Sequence, residues 1–144
     1  MFSLNLECNE NDHVNNLIGA HSKDINGWTF THIDFFQQDP LGMFYKQCGN
    51  GQFWFGFGSW TLVGSIETQL KGCGYAILDF GNCFGMDSWV YVYLNDEKLA
   101  QAGKNTQSME VGFYFKEGSV LKLIESQAAA IIKFNRFDVI HCGC

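Results

Sequence analysis

A chain of 144 residues with a net charge of −6 and no cluster of Lys or Arg cannot neutralise a phosphate backbone, so nucleic acid is excluded as a partner and an anionic membrane surface is disfavoured. Charged residues make up only 17% and aromatics 16%, with 14 Phe, so the chain is not a disordered tail and carries large side chains suited to a β-rich core. Its length fits one domain, 1–144, and one proline against 16 glycines leaves the turns to Gly, Asn and Asp.

Residues 1–26 are crowded with Asn5, Asn9, Asn11, Asn15 and Asn16 and read as loops around one short strand at 2–6. Val14, Leu17 and Ile18 have helical spacing, but over a short run. Residues 27–33 alternate and predict a strand. Gln38-Asp39-Pro40-Leu41-Gly42 is a turn with proline second, followed by a short strand at 43–46. Residues 52–57 and 60–68 read as two strands around Gly56-Phe57-Gly58-Ser59. The run 47–66 is uncharged and long enough to span a bilayer, yet Gln47, Asn50, Gln52, Ser59, Thr61 and repeated glycine make it a better hairpin.

From residue 75 the pattern is regular. A strand at 75–80 is followed by a loop at 81–87. The clearest stretch is 88–99, where Trp89, Tyr91 and Tyr93 alternate with Val90, Val92 and Leu94. Both of its faces are apolar, which predicts a central strand covered on both sides. Asn95-Asp96 tolerates the left-handed backbone of a tight hairpin, and 98–102 is the return strand. A polar loop at 103–108 leads to a strand at 109–115, with Val111, Phe113 and Phe115 on one face. A tight turn at 116–118, a strand at 120–124, a connection at 126–129 and a last strand at 130–140 complete the chain.

Short strands at this spacing are the mark of an all-β antiparallel sandwich or barrel. Four segments sharpen it: Ala76-Ile77-Leu78-Asp79-Phe80-Gly81, Val90-Tyr91-Val92-Tyr93-Leu94-Asn95, Phe115 through Leu123, and Ile132 through Val139. In this order they resemble the closing strands of the galactose-binding-domain-like jelly rolls, the β-sandwich of discoidin-type lectins and many carbohydrate-binding modules. The resemblance spans about 61–142 and rests on framework residues. It implies a jelly-roll fold and carbohydrate binding. The sequence has no counterpart of the His and paired Arg used by fucose-binding members, so no ligand residue carries over.

Cys8, Cys48, Cys73, Cys83, Cys142 and Cys144 are an even set scattered through an all-β pattern, which reads first as disulfides and a secreted, extracellular setting. Met1-Phe2-Ser3-Leu4 has neither the basic start nor the apolar run of a signal peptide, so the chain reads as a mature form with an added Met or as an intracellular protein with free thiols. Connectivity is not written in the spacing, with one exclusion. An extended strand at 75–80 holds Cys73 and Cys83 about 30 Å apart at ~3.3 Å per residue. The jelly-roll resemblance, which makes the terminal strands neighbours, implies Cys8 with Cys142 or Cys144. His141-Cys142-Gly143-Cys144 could instead hold zinc with Cys8, the alternative to a bridged form.

Strand direction alone makes successive loops alternate between the two ends of an antiparallel sandwich. Loops 56–59, 81–87, 103–108 and 126–129 then share one rim, and the short turns share the other. The first rim carries Trp60 and Trp89 at strand mouths, with Asn82, Asp87, Asn105, Thr106, Gln107 and Gln127. An indole face and planar amides or carboxylates are what a sugar ring and its hydroxyls require. Trp89 is equally a core position, and Asn and Asp are ordinary turn residues. Residues 52–55 (Gln-Phe-Trp-Phe) are a second platform or a strand of the core. No cofactor is required. Asp79 and Asp87 offer hard oxygen ligands for a structural calcium, which the resemblance also implies. No Gly-x-Ser-x-Gly, His-Glu-x-x-His or phosphate loop supports catalysis. The leading expectation is therefore a non-catalytic lectin for glycans or glycoproteins. Single sugar sites are weak, so homo-oligomerisation is expected to supply avidity. The alternatives are an adhesion module for a protein partner and, behind it, a membrane-active protein using 47–66.

Overall fold

A computed structural model describes residues 2–3, 22–25, 27–34, 44–49, 52–57, 62–82, 88–125 and 131–143. Its strands are β1 (Phe2–Ser3), β2 (Ser22–Ile25), β3 (Trp28–Asp34), β4 (Phe44–Gly49), β5 (Gln52–Phe57), β6 (Leu62–Gln69), β7 (Cys73–Asn82), β8 (Val90–Leu94), β9 (Glu97–Ala102), β10 (Thr106–Phe115), β11 (Val120–Glu125) and β12 (Ile131–Cys142). They form two antiparallel sheets. Sheet 1 has the order β10-β7-β12-β5-β4, with β1 also paired to β12; sheet 2 has the order β2-β3-β6-β11-β8-β9. From β5 to β8 each strand lies in the opposite sheet from its predecessor, and so again from β9 to β12. The result is a jelly-roll β-sandwich.

Period-two patterning explains which side chains enter the core. On β7, Ala76, Leu78 and Phe80 are buried while Tyr75, Ile77 and Asp79 lie on the outer face. On β11, Leu121, Leu123 and Glu125 point inward. β12 departs from strict alternation. A register shift between Phe134 and Arg136 leaves Asn135 as the extra residue, so Phe134 and Phe137 both face inward although three positions apart. Trp28 from sheet 2 then meets both rings edge-on, at centroid distances of 5.2 Å from Phe134 and 5.8 Å from Phe137. Such pairs add about 0.5–1.5 kcal/mol each beyond the apolar area they bury.

Three expectations change. β8 is covered on one side only: Val90 and Val92 are buried, whereas Tyr91 and Tyr93 lie half-buried on the outer face. Among the described residues no third layer covers the outside of sheet 2. Instead the Tyr91 and Tyr93 rings meet each other, and the Lys98 ammonium sits 5.5 Å from the Tyr91 centroid. β7 runs on to Cys73 and Asn82 at either side of 75–80, and β2 was not read from the sequence at all. The helical spacing at Val14, Leu17 and Ile18 lies outside the described residues.

The hairpin after β8 forms as its residue types suggest, with Asn95 at φ 50° and Asp96 at φ 67°. At the same end, Leu70 N donates to Ser119 O at 2.7 Å and Gly118 N to Leu70 O at 2.9 Å, joining the β6–β7 and β10–β11 turns.

Candidate functional site

The register fixes which strand termini share an end. In sheet 1, Asn82 is opposite Thr106 and Ile132, and Ile131 is opposite Gly56. In sheet 2, Val90 is opposite both Glu125 and Ala102, and Asp34 is opposite Leu62. Connections 58–61, 83–89, 103–105 and 126–130 therefore leave strands at one end of the sandwich. The turns at 70–72, 95–96 and 116–119 close the other.

At the first end, Trp89 is the main exposed apolar group among the described residues. It keeps 41% of its surface accessible, and its six-membered ring lies against Gly103, where an added Cβ would come within 3.3 Å of Cζ3. Thr106 Oγ1 donates to Gly103 O at 2.7 Å and shapes the same turn, whose Asn105 is exposed at φ 55°. Gln107 is exposed, and its Oε1 accepts from Lys133 Nζ at 3.1 Å. So Trp89, Asn105, Thr106 and Gln107 gather on or beside one turn.

Asn82 is a correction. It is fully buried, and its Nδ2 donates to Ser88 Oγ at 3.0 Å and Ser88 O at 3.4 Å. Its amide holds the two ends of segment 83–87 together and is not presented to a ligand. Trp60, Asp87 and Gln127 lie outside the described residues. Asp79, one of the two calcium candidates, is on the outer face of sheet 1. Its Oδ1 accepts from Ser108 Oγ at 2.5 Å and from Asn135 Nδ2 at 3.1 Å, so it is engaged as a cross-strand acceptor. Among the described residues no three His, Cys, Asp or Glu side chains come together to hold a metal.

Two groups at this end were missed from the sequence. Lys133 is buried beside Gln107. Glu125 is buried at the end of β11, and among the described residues neither of its carboxyl oxygens has a hydrogen-bond partner. Burial pushes its pKa well above the usual carboxylate range. The Ile132 backbone acts in the opposite direction, but the loss of solvation on burial is the larger effect. The clue was available: Glu125 shares the parity of Leu121 and Leu123.

A cleft at the opposite end is lined by Leu94, Tyr114, Phe115, Lys116, Cys73 and Cys142. Polar groups around it serve the turns. Asn95 Oδ1 accepts from Val120 N at 2.9 Å, Ser119 Oγ accepts from Lys116 N at 3.0 Å, and the Glu117 carboxylate accepts from Gly72 N. Cys142 is a free, exposed thiol, while Cys73 is disulfide-bonded to a cysteine whose side chain is not among those described. The expected Cys8–Cys142 bridge is therefore overturned. Its alternative, Cys8–Cys144, lies outside the described residues, as do the side chains of Cys48 and Cys83.

No family model matches the chain, and no curated protein matches it in sequence. Solved structures do resemble it. A family 35 carbohydrate-binding module from Clostridium thermocellum is 11% identical, with 78% of this chain and 92% of that one covered and a TM-score of 0.48. A family 51 carbohydrate-binding module from Clostridium perfringens, in complex with methyl-galactose, is 14% identical, with 89% and 98% covered and a TM-score of 0.42. The enzymatically active domain of tailspike protein 4 of bacteriophage CBA120 is 10% identical, with 81% of this chain and 20% of that one covered and a TM-score of 0.50. At these identities the likeness concerns the fold.

Proposed function

We propose that this chain is a non-catalytic carbohydrate-binding domain that takes glycans at the end of the sandwich bearing Trp89. The observation that carries the reading is Trp89 itself, 41% exposed and backed by Gly103, with Asn105, Thr106 and Gln107 on the adjoining turn. An indole set this way offers its apolar face to a sugar ring, and exposed amides and a hydroxyl supply directional hydrogen bonds. Trp60, Asp87 and Gln127 fall in the sequence segments that connect strands at the same end, and they complete the proposed set of ligand-binding residues. The carbohydrate-binding modules that resemble the fold support the ligand class. The reading carries with it a secreted protein that oligomerises for avidity.

The test is a glycan array, run with calcium and again with chelator. Selective binding is expected. Loss of binding with chelator would assign a role to a calcium ion. A blank array from demonstrably folded protein would refute the lectin reading. It would favour the second reading, a protein-binding module, for which one observation speaks: Tyr114, 78% exposed, and Ile140, 46% exposed, flank Tyr75 on the outer face of sheet 1.

A further inference from the structure

We propose that Cys142 and Cys73 form a thiol–disulfide exchange site at the end of the sandwich opposite the Trp89 rim. Cys142 on β12 is directly opposite Cys73 on β7 in the antiparallel register. Residues so opposed have Cα atoms about 4.5–5.5 Å apart and side chains on the same face. That separation falls within the ~4.4–6.8 Å range spanned by disulfides, so the two can be bridged without moving either strand. Both line the same cleft. Yet one is a free, exposed thiol and the other is already bonded elsewhere. A nucleophile and a disulfide sulfur are thus placed side by side.

The step balances without an oxidant. Cys142 loses its proton and its thiolate attacks Cys73 Sγ. A Cys142–Cys73 bond forms as the bond from Cys73 to its present partner breaks. The electron pair leaves on the partner sulfur, which takes up a proton. One disulfide and one thiol are present before and after. What changes is the tether: Cys73 is linked either to its original partner or across the β7–β12 ladder.

Differential alkylation of the full chain, purified without reductant, tests this. Free thiols are trapped in acid, either at once or after incubation at mildly alkaline pH under argon, and linkages are mapped by peptide fragmentation. Fragmentation is needed because tryptic cleavage leaves Cys73 with Cys83 and Cys142 with Cys144. At the start, Cys142 should be alkylated and Cys73 should not. After incubation a Cys73–Cys142 linkage should appear, with one other cysteine becoming alkylated mole for mole. In Cys142→Ser, checked for folding by circular dichroism, the alkylation pattern should not change with time. A Cys142 that stays alkylated with no Cys73–Cys142 linkage formed would overturn the proposal, as would a Cys73 that is alkylated in the starting protein.

Discussion

Replacing Glu125 by Gln keeps the shape of the side chain and removes its ionisation. The wild-type carboxyl is buried at the end of β11 with no hydrogen-bond partner among the described residues, and burial raises its pKa well above the usual range. The unfolded chain, with its carboxyl in water, has the ordinary value of about 4.3. Because the folded value is the raised one, the contribution of Glu125 is fully present below that ordinary value and is lost as pH climbs towards the folded pKa. The loss accrues at no more than about 1.4 kcal/mol per pH unit, since one proton is involved. Between about pH 5 and about pH 7 it therefore reaches at most about 3 kcal/mol, worth roughly 6–12 °C in Tm for a domain near this size. Urea and thermal unfolding of both proteins across this range should show wild type falling relative to Glu125→Gln as pH rises, with the variant at least as stable near neutrality. The difference between the two removes every other titrating group. Parallel pH profiles would refute the claim that this carboxyl is buried and unpartnered.

Phe137→Ala should cost about 3–5 kcal/mol in urea unfolding, because the ring is fully buried and meets Trp28, Phe134 and Phe113. Two glycines on sheet 1 should behave differently. At Gly81 an added Cβ would stand 2.2 Å from Thr106 O, a backbone atom, so Gly81→Ala should destabilise by about 1–3 kcal/mol. At Gly112 the obstacle is the Tyr75 hydroxyl, the far end of a half-buried side chain that can swing away, so Gly112→Ala should cost under about 1 kcal/mol. Equal costs at the two sites, measured by the same unfolding assay, would contradict the packing described.

Strand identity was legible where apolar and polar residues alternate, as along β7, β10 and β11. Boundaries were less so, because pairing extends a strand beyond its patterned part: β7 gains Cys73 and Asn82 from its ladder with β12. The bulge at Asn135 could not be read, since the change of parity between Phe134 and Phe137 depends on the partner strand. β2, Ser22–Ile25, has no apolar period and is held by the register of β3. Which loops share an end was legible, for strand direction determines it. What each side chain does there was not. Asn82 and Asn105 look alike in sequence, yet one is buried against Ser88 and the other is exposed at a turn. Glu125 was passed over because an acid at a strand end suggests solvent, although its parity points inward.

The most direct test of carbohydrate binding at the Trp89 end is titration calorimetry of the best glycan from the array, with wild type, Trp89→Ala and Tyr114→Ala. Trp89 lies at the proposed site, whereas Tyr114 lies on the outer face of sheet 1 beside the opposite cleft. Loss of a stacking indole should weaken binding at least tenfold in Trp89→Ala, about 1.4 kcal/mol or more, with unchanged affinity in Tyr114→Ala. Full affinity in Trp89→Ala with loss in Tyr114→Ala would contradict the account and move the ligand site to the other end of the sandwich.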